Sequence, residues 1–195
     1  QATGAVLLGA LLARHKIPES EVKAVIVGAE MTPLLTGQVD AVAGWLTSTT
    51  ALKVLGPDRI DLPLWDAGIR LYARPYNATT SRLKSQPKAI EGFLGATARG
   101  LQYTQANRDR AVDLLVKEYP NFKRDDERES LGSMLEYSLG GLAQTQGWGA
   151  MDPALWQEQI DLYAGLGQFT ARKPAVDDLI WMNGLNATAT ARMKG

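Results

Sequence analysis

Cysteine is absent from the 195 residues, and this removes three kinds of chemistry together: a disulfide framework, a thiolate nucleophile and a Cys-ligated metal. The absence is compatible with an oxidising compartment. Histidine is nearly absent as well. The single His15 lies late in an apolar helical stretch, between Arg14 and Lys16, where a cation suits a helix C-terminus. It lacks the partner side chains of a metal centre or a catalytic base. No apolar run approaches the roughly 18 residues of a membrane span. Lys plus Arg and Asp plus Glu number 21 each, so the formal net charge is zero, and no basic stripe suggests nucleic-acid binding. The nucleophile-elbow, zinc-protease, phosphate-loop and dinucleotide fingerprints are all missing. The carboxylate pairs Asp125/Asp126 and Asp177/Asp178 are adjacent in sequence near predicted helix starts, which suits capping better than acid–base catalysis. These absences point away from an enzyme and from a metal or cofactor, and they leave a binding module as the leading class.

What is present is an ordinary globular composition, 45% hydrophobic and 22% charged. Thr3 is placed to N-cap a helix running to about Lys16, with Val6, Leu7, Leu8, Leu11 and Leu12 as its apolar surface. Lys23–Val27 reads as a strand, Met31–Thr36 as a short helix, Asp40–Gly44 as a strand, Ser48–Leu55 as a helix stopped by Gly56-Pro57, and Arg59–Leu64 as a strand. This alternation predicts a parallel α/β lobe over residues 1–66, with net charge −2. Ile69–Ala73 reads as a strand leaving it. Residues 67–195, with net charge +2, read as mainly helical. Pro87–Gln105 has Pro87 in its first turn, Asn107 is placed to cap Arg108–Tyr119, Asp125 or Asp126 opens a helix to about Leu139, and Asp152-Pro153 opens one to about Leu166. Asn186–Gly195 reads as a flexible tail. Gln1 stands where an initiating Met would be and no leader pattern follows, so the natural protein is expected to begin upstream.

The richest stretch is Pro33–Trp45, PLLTGQVDAVAGW. Gly37 suits a helix stop with positive φ. Val39, Ala41 and Val42 suit a strand buried on both faces. Trp45 then falls at the carboxyl end of that strand, where open α/β sheets bind ligands. Its ring is either a ligand platform or a core aromatic. The Thr3-Gly4 helix start offers unpaired N–H groups to an anion or polar group, with simple capping as the alternative. Asp66, before Gly68, either accepts from a ligand amine or caps a turn. Thr3, Gly4, Trp45 and Asp66 are therefore the candidate ligand residues, expected to face one sheet edge.

Five pieces in order carry a family resemblance: the Thr3-Gly4 start followed by LLGALLARHKI; TGQVDAVAGW; IRLYARP; PKAIEGFLGATARGLQYTQANRDRAV; and MDPALWQEQIDLYAGLGQF. Together they resemble the carboxyl-terminal two-thirds of an ABC-transporter substrate-binding protein of the nitrate, sulfonate and thiamine-precursor type. The resemblance implies a type II periplasmic-binding-protein-like α/β fold of two lobes, 1–66 and 67–195, with the first lobe's opening strands absent from this chain. It implies a small polar or heteroaromatic ligand held between the lobes, backbone contacts from Thr3-Gly4, Trp45 lining the cleft, a periplasmic or extracytoplasmic location, and delivery to an ABC permease. A second chain completing the sheet is a further expectation. Relatives of the sulfonate type often carry Asp-Pro after the aromatic, where Leu46-Thr47 stand here. The thiamine-pyrimidine synthases of the same fold depend on a cysteine-rich motif that this chain lacks. The alternative is the ligand-sensing effector domain of a LysR-type regulator, which shares G-x-V-D-A but should lack three successive helices between Pro87 and Leu139.

Overall fold

The computed structural model describes residues 2–28, 30–72 and 74–193, with side chains from residue 4 onward. Among the described residues it contains helices and no β-strand. In chain order these are α1 (Ala2–His15), a 3-10 turn at Glu19–Glu21, α2 (Thr32–Leu35), α3 (Thr49–Lys53), α4 (Thr80–Ser85), α5 (Pro87–Ala106), α6 (Arg108–Glu118), α7 (Arg124–Leu139), α8 (Leu142–Gln146), α9 (Pro153–Gly165), α10 (Val176–Leu179) and α11 (Met182–Met193). Two compact units emerge. One comprises residues 1–72 with 154–175, the other residues 73–153 with 176–195.

The α/β periplasmic-binding-protein-like fold expected from the sequence is therefore corrected to a helical one. The segments expected as strands, Lys23–Val27, Asp40–Gly44, Arg59–Leu64 and the described part of Ile69–Ala73, run without regular structure and no backbone ladder joins them. In the first three of these segments the side chains are largely open, with Ile26 80% exposed and Ile60 93%, whereas Ile69 in the fourth is buried. The physical reason is that a helix closes its hydrogen bonds within its own segment, whereas a strand must borrow a partner's. Because Ile60 contacts so little, Ile60→Ser should leave the thermal midpoint within error of the parent; surface changes of this kind stay within about 0.5 kcal/mol. A loss several times larger on thermal unfolding would show that Ile60 is packed.

In the first unit, Ala10, Leu12, Met31, Leu52, Ile69, Leu155, Trp156 and Ile160 are buried. Gly9 on α1 passes close to Leu166 beyond α9. The Arg70 guanidinium grips Glu158 at 2.9 Å, the Tyr72 N–H donates to Gln159 Oε1 at 3.2 Å, and Tyr72 stacks on Trp156 at 5.5 Å. These contacts tie the 70–72 stretch to α9.

The second unit is a helical assembly in which α5 packs on α11, α6 on α7, and α8 on both α7 and α11. Ala98, Val112, Leu135 and Ile180 form its apolar interior. Pro87 sits in the first turn of α5, as its fixed φ favours. Asn107 stands at the N-cap of α6 as expected, but its side chain makes no capping hydrogen bond there. Its amide donates back to the Tyr103 carbonyl and closes α5 instead. The charge run after Phe122 pins α7 to α6: Arg128 binds Asp109 at 2.6 Å and Arg124 binds Asp113 at 2.7 Å. The hydrogen bond from Arg128 is the main reason the Asp109 carboxyl titrates below its ordinary range. Asn186–Met193, expected as part of a flexible tail, belongs to α11. Gly184, Thr188 and Arg192 recur every fourth residue and form its buried stripe. Small and polar residues thus do the packing that an apolar pattern normally announces.

Candidate functional site

All four sequence-derived residues belong to the first unit. Thr3 lies inside the first turn of α1 rather than at an N-cap, and its side chain falls outside the described residues. Gly4 follows on the same turn, and a Cβ there would meet nothing within 4 Å. No acidic residue occupies the first turn of α1. The positive end of its dipole is therefore not offset by a carboxylate within its own first turn.

Trp45 is 52% exposed. Its carbonyl accepts from the Ser48 N–H at 2.9 Å, forming the tight turn that enters α3. Upstream, α2 is stopped by Gly37, whose φ of 68° is the left-handed value that the stop demands. Residues 38–44 then deliver Trp45 as an open stretch rather than as a buried strand.

Asp66 is exposed, in a turn where the Asp66 and Ala67 N–H groups both donate to Pro63 O at 3.1 Å and the Ile69 N–H donates to Leu64 O at 2.8 Å. This turn is held at the far end of α1. His15 Nε2 lies 3.3 Å from Ala67 O, and the Arg14 guanidinium covers Gly68 so closely that a Cβ would overlap it. Gly4 and the His15 end of α1 are roughly 16 Å apart along the axis at the standard helical rise. The structure therefore places the Asp66 turn and the Thr3-Gly4 turn at opposite ends of one helix. The lone histidine sets its Nε2 against the Ala67 carbonyl of the Asp66 turn.

Among the described residues, no group of three or more His, Cys, Asp or Glu side chains could hold a metal ion, and no helix is long and apolar enough to cross a membrane. The structure adds an aromatic grouping that sequence reasoning did not find. Tyr76, Phe93 and Trp148, far apart in the chain, meet in the second unit. No sequence signal joined them: Phe93 lies in the fourth of the five family-like segments, whereas Tyr76 and Trp148 lie outside all five.

In comparison with known proteins, the family model described as NMT1/THI5 like matches residues 2–111. The match spans more than half of the chain and includes Thr3, Gly4, Trp45 and Asp66. No curated protein and no solved structure matches the chain.

Proposed function

From the premise that this chain belongs to the NMT1/THI5-like family, a family of solute-binding proteins of ABC transporters, we propose that it captures a small polar or heteroaromatic molecule and passes it to an ABC permease outside the cytoplasm. The observation that carries this reading is the family match across residues 2–111. Three features of the first unit support it. Trp45 presents a ring on a tight turn. The start of α1 has no acidic residue of its own and suits an anionic or polar group. Asp66 offers an exposed carboxylate on a pinned turn at the other end of α1, too far from Gly4 for one small molecule to meet both. The consecutive helices α5, α6 and α7 between Pro87 and Leu139 favour this reading over a LysR-type effector domain. The role proposed is binding, without a catalytic step.

The test is native mass spectrometry of protein purified without refolding. A retained small molecule should appear as an added mass. Trp45→Ala should weaken its binding about tenfold, as expected for loss of a desolvated aromatic contact worth on the order of 1 kcal/mol or more. A folded Trp45→Ala protein that retains the molecule with unchanged affinity would remove Trp45 from the site. A parent protein that binds no small molecule from a broad solute panel would overturn the transport reading.

A further inference from the structure

Asn183-Gly184 is the one Asn-Gly pair in the sequence. Asparagine is a thermolabile side chain. A following glycine makes it more so, because no Cβ keeps the next backbone nitrogen away from the side-chain amide carbon. The pair lies in the first turn of α11. Asn183 is exposed, and its side-chain amide has no hydrogen-bond partner among the described residues, while Gly184 is buried.

Gly184 is held on every side. Its N–H donates to Trp181 O at 3.1 Å, a carbonyl shared with the Leu185 N–H at 3.2 Å. Its own carbonyl accepts from Thr188 Oγ1 at 2.8 Å. The Trp181 ring covers the Gly184 Cα so closely that a Cβ would overlap it. At the other end of the buried stripe, Arg192 clamps Trp148 from both sides of its peptide: the Trp148 N–H donates to Arg192 O at 3.3 Å, and Arg192 Nη1 donates to the Trp148 carbonyl at 2.7 Å. Helical backbone angles also hold the Gly184 nitrogen away from Asn183 Cγ. The contacts that bury the stripe therefore keep the Asn-Gly pair unreactive for as long as α11 is formed.

We propose that Asn183 is a deamidation site gated by the release of α11. In the open chain, hydroxide removes the Gly184 amide proton and the nitrogen bonds to Asn183 Cγ. The Cγ–Nδ2 bond breaks, and Nδ2 takes a proton from water and leaves as ammonia. Water then opens the cyclic imide at either carbonyl. Opening at Cγ gives aspartate on an unchanged backbone, and a carboxylate in the first turn of α11 suits the helix dipole. Opening at the backbone carbonyl gives isoaspartate, which routes the main chain through an added methylene between residues 183 and 184. That breaks the helical register where the Gly184, Thr188 and Arg192 stripe begins, so α11 cannot close again as before. The site lies within the second unit and is independent of the ligand role proposed for the first.

Ageing of the full chain in mildly alkaline buffer tests this, with peptide mapping that separates asparagine, aspartate and isoaspartate at position 183. Conversion of the folded protein should be slower than in guanidinium chloride by about tenfold or more, because a reaction of the open form scales with that form's population. Arg192→Ala should raise the rate in buffer about tenfold and leave the rate in denaturant unchanged. Arg192→Met, which keeps the packed stem, gives the same test with a smaller rise if the alanine protein does not fold. Asn183→Asp should keep the parent's thermal midpoint, whereas the purified isoaspartate form should melt lower. Equal rates in buffer and denaturant overturn the proposal, as does a rate in buffer that neither Arg192 variant changes. So does conversion in denaturant that is faster at Asn77, Asn107, Asn121 or Asn186 than at Asn183, or an isoaspartate form that melts with the parent.

Discussion

Trp156→Ala should destabilise the first unit by about 3–5 kcal/mol, the range for emptying a buried large aromatic site. Trp156 is 8% exposed, shares its interior with Leu155 and Ile160 on α9, and stacks on Tyr72 at 5.5 Å with the rings 20° apart. Truncation removes both the stacking and the anchor through which α9 meets residues 70–72. Trp156→Phe should behave very differently. The indole Nε1 is buried with no hydrogen-bond partner, and an unpaired buried donor costs about 1–3 kcal/mol. Phenylalanine keeps a ring against Tyr72 and removes that donor, so relief of the orphan N–H offsets much of the lost volume. The expected result is stability within about 1 kcal/mol of the parent. Urea unfolding followed by far-UV circular dichroism separates the outcomes. If the Phe variant falls as far as the Ala variant, the indole N–H is engaged and the account of its burial is wrong.

The contrast between helices and strands shows what the sequence could and could not convey. Pro87 at the start of α5, Gly37 after α2 and the Gly140-Gly141 break after α7 are local signals, and the helices obey them because helical hydrogen bonds are local. Lys23–Val27 and Arg59–Leu64 satisfied the composition of buried strands, but composition does not supply a neighbour. In the structure their apolar side chains stand open, as Ile26 and Ile60 show. The error at α11 ran the other way. Its buried stripe is Gly184, Thr188 and Arg192, and a search for apolar periodicity passes over a glycine, a hydroxyl and a guanidinium at helical spacing.

The candidate site was legible to the same degree. Trp45 stood out because a glycine stop and a short apolar run precede a large ring, but the strand whose carboxyl end was to carry it is absent among the described residues, and the ring is instead 52% exposed beyond an open stretch. The relation between Asp66 and the Thr3-Gly4 turn was not legible. It depends on Arg14 and His15 reaching the 67–68 backbone, a contact between distant segments that no spacing rule encodes. The family match, in contrast, integrates weak signals along residues 2–111 and does not need any single one to be decisive.

Arg192 provides the sharpest test of the second unit. It is 7% exposed, and its guanidinium donates to Thr188 Oγ1 at 3.2 Å, Trp148 O at 2.7 Å and Leu185 O at 2.9 Å. Thr188 in turn donates to Gly184 O at 2.8 Å, so one charge organises the last turns of α11 and the loop before residue 149. Burial pushes its pKa below the ordinary arginine value, yet a guanidinium keeps its proton at any working pH. The charge is therefore carried into the interior and stabilised there by neutral oxygens. Removing the side chain in Arg192→Ala should cost about 2–4 kcal/mol, through a cavity and lost charge-assisted hydrogen bonds. Arg192→Met keeps most of the packed stem and abolishes the buried charge, so its cost should be smaller. Arg192→Lys keeps the charge but replaces a planar fork with a point donor that cannot serve three divergent acceptors. The expected order of thermal midpoints is parent, Met, then Lys and Ala. Faster exchange of the Trp148 amide should accompany the loss of the clamp in all three variants. If Lys proves more stable than Met, the charge itself holds α11 to the loop, and the fork geometry assigned to Arg192 is not what secures Trp148.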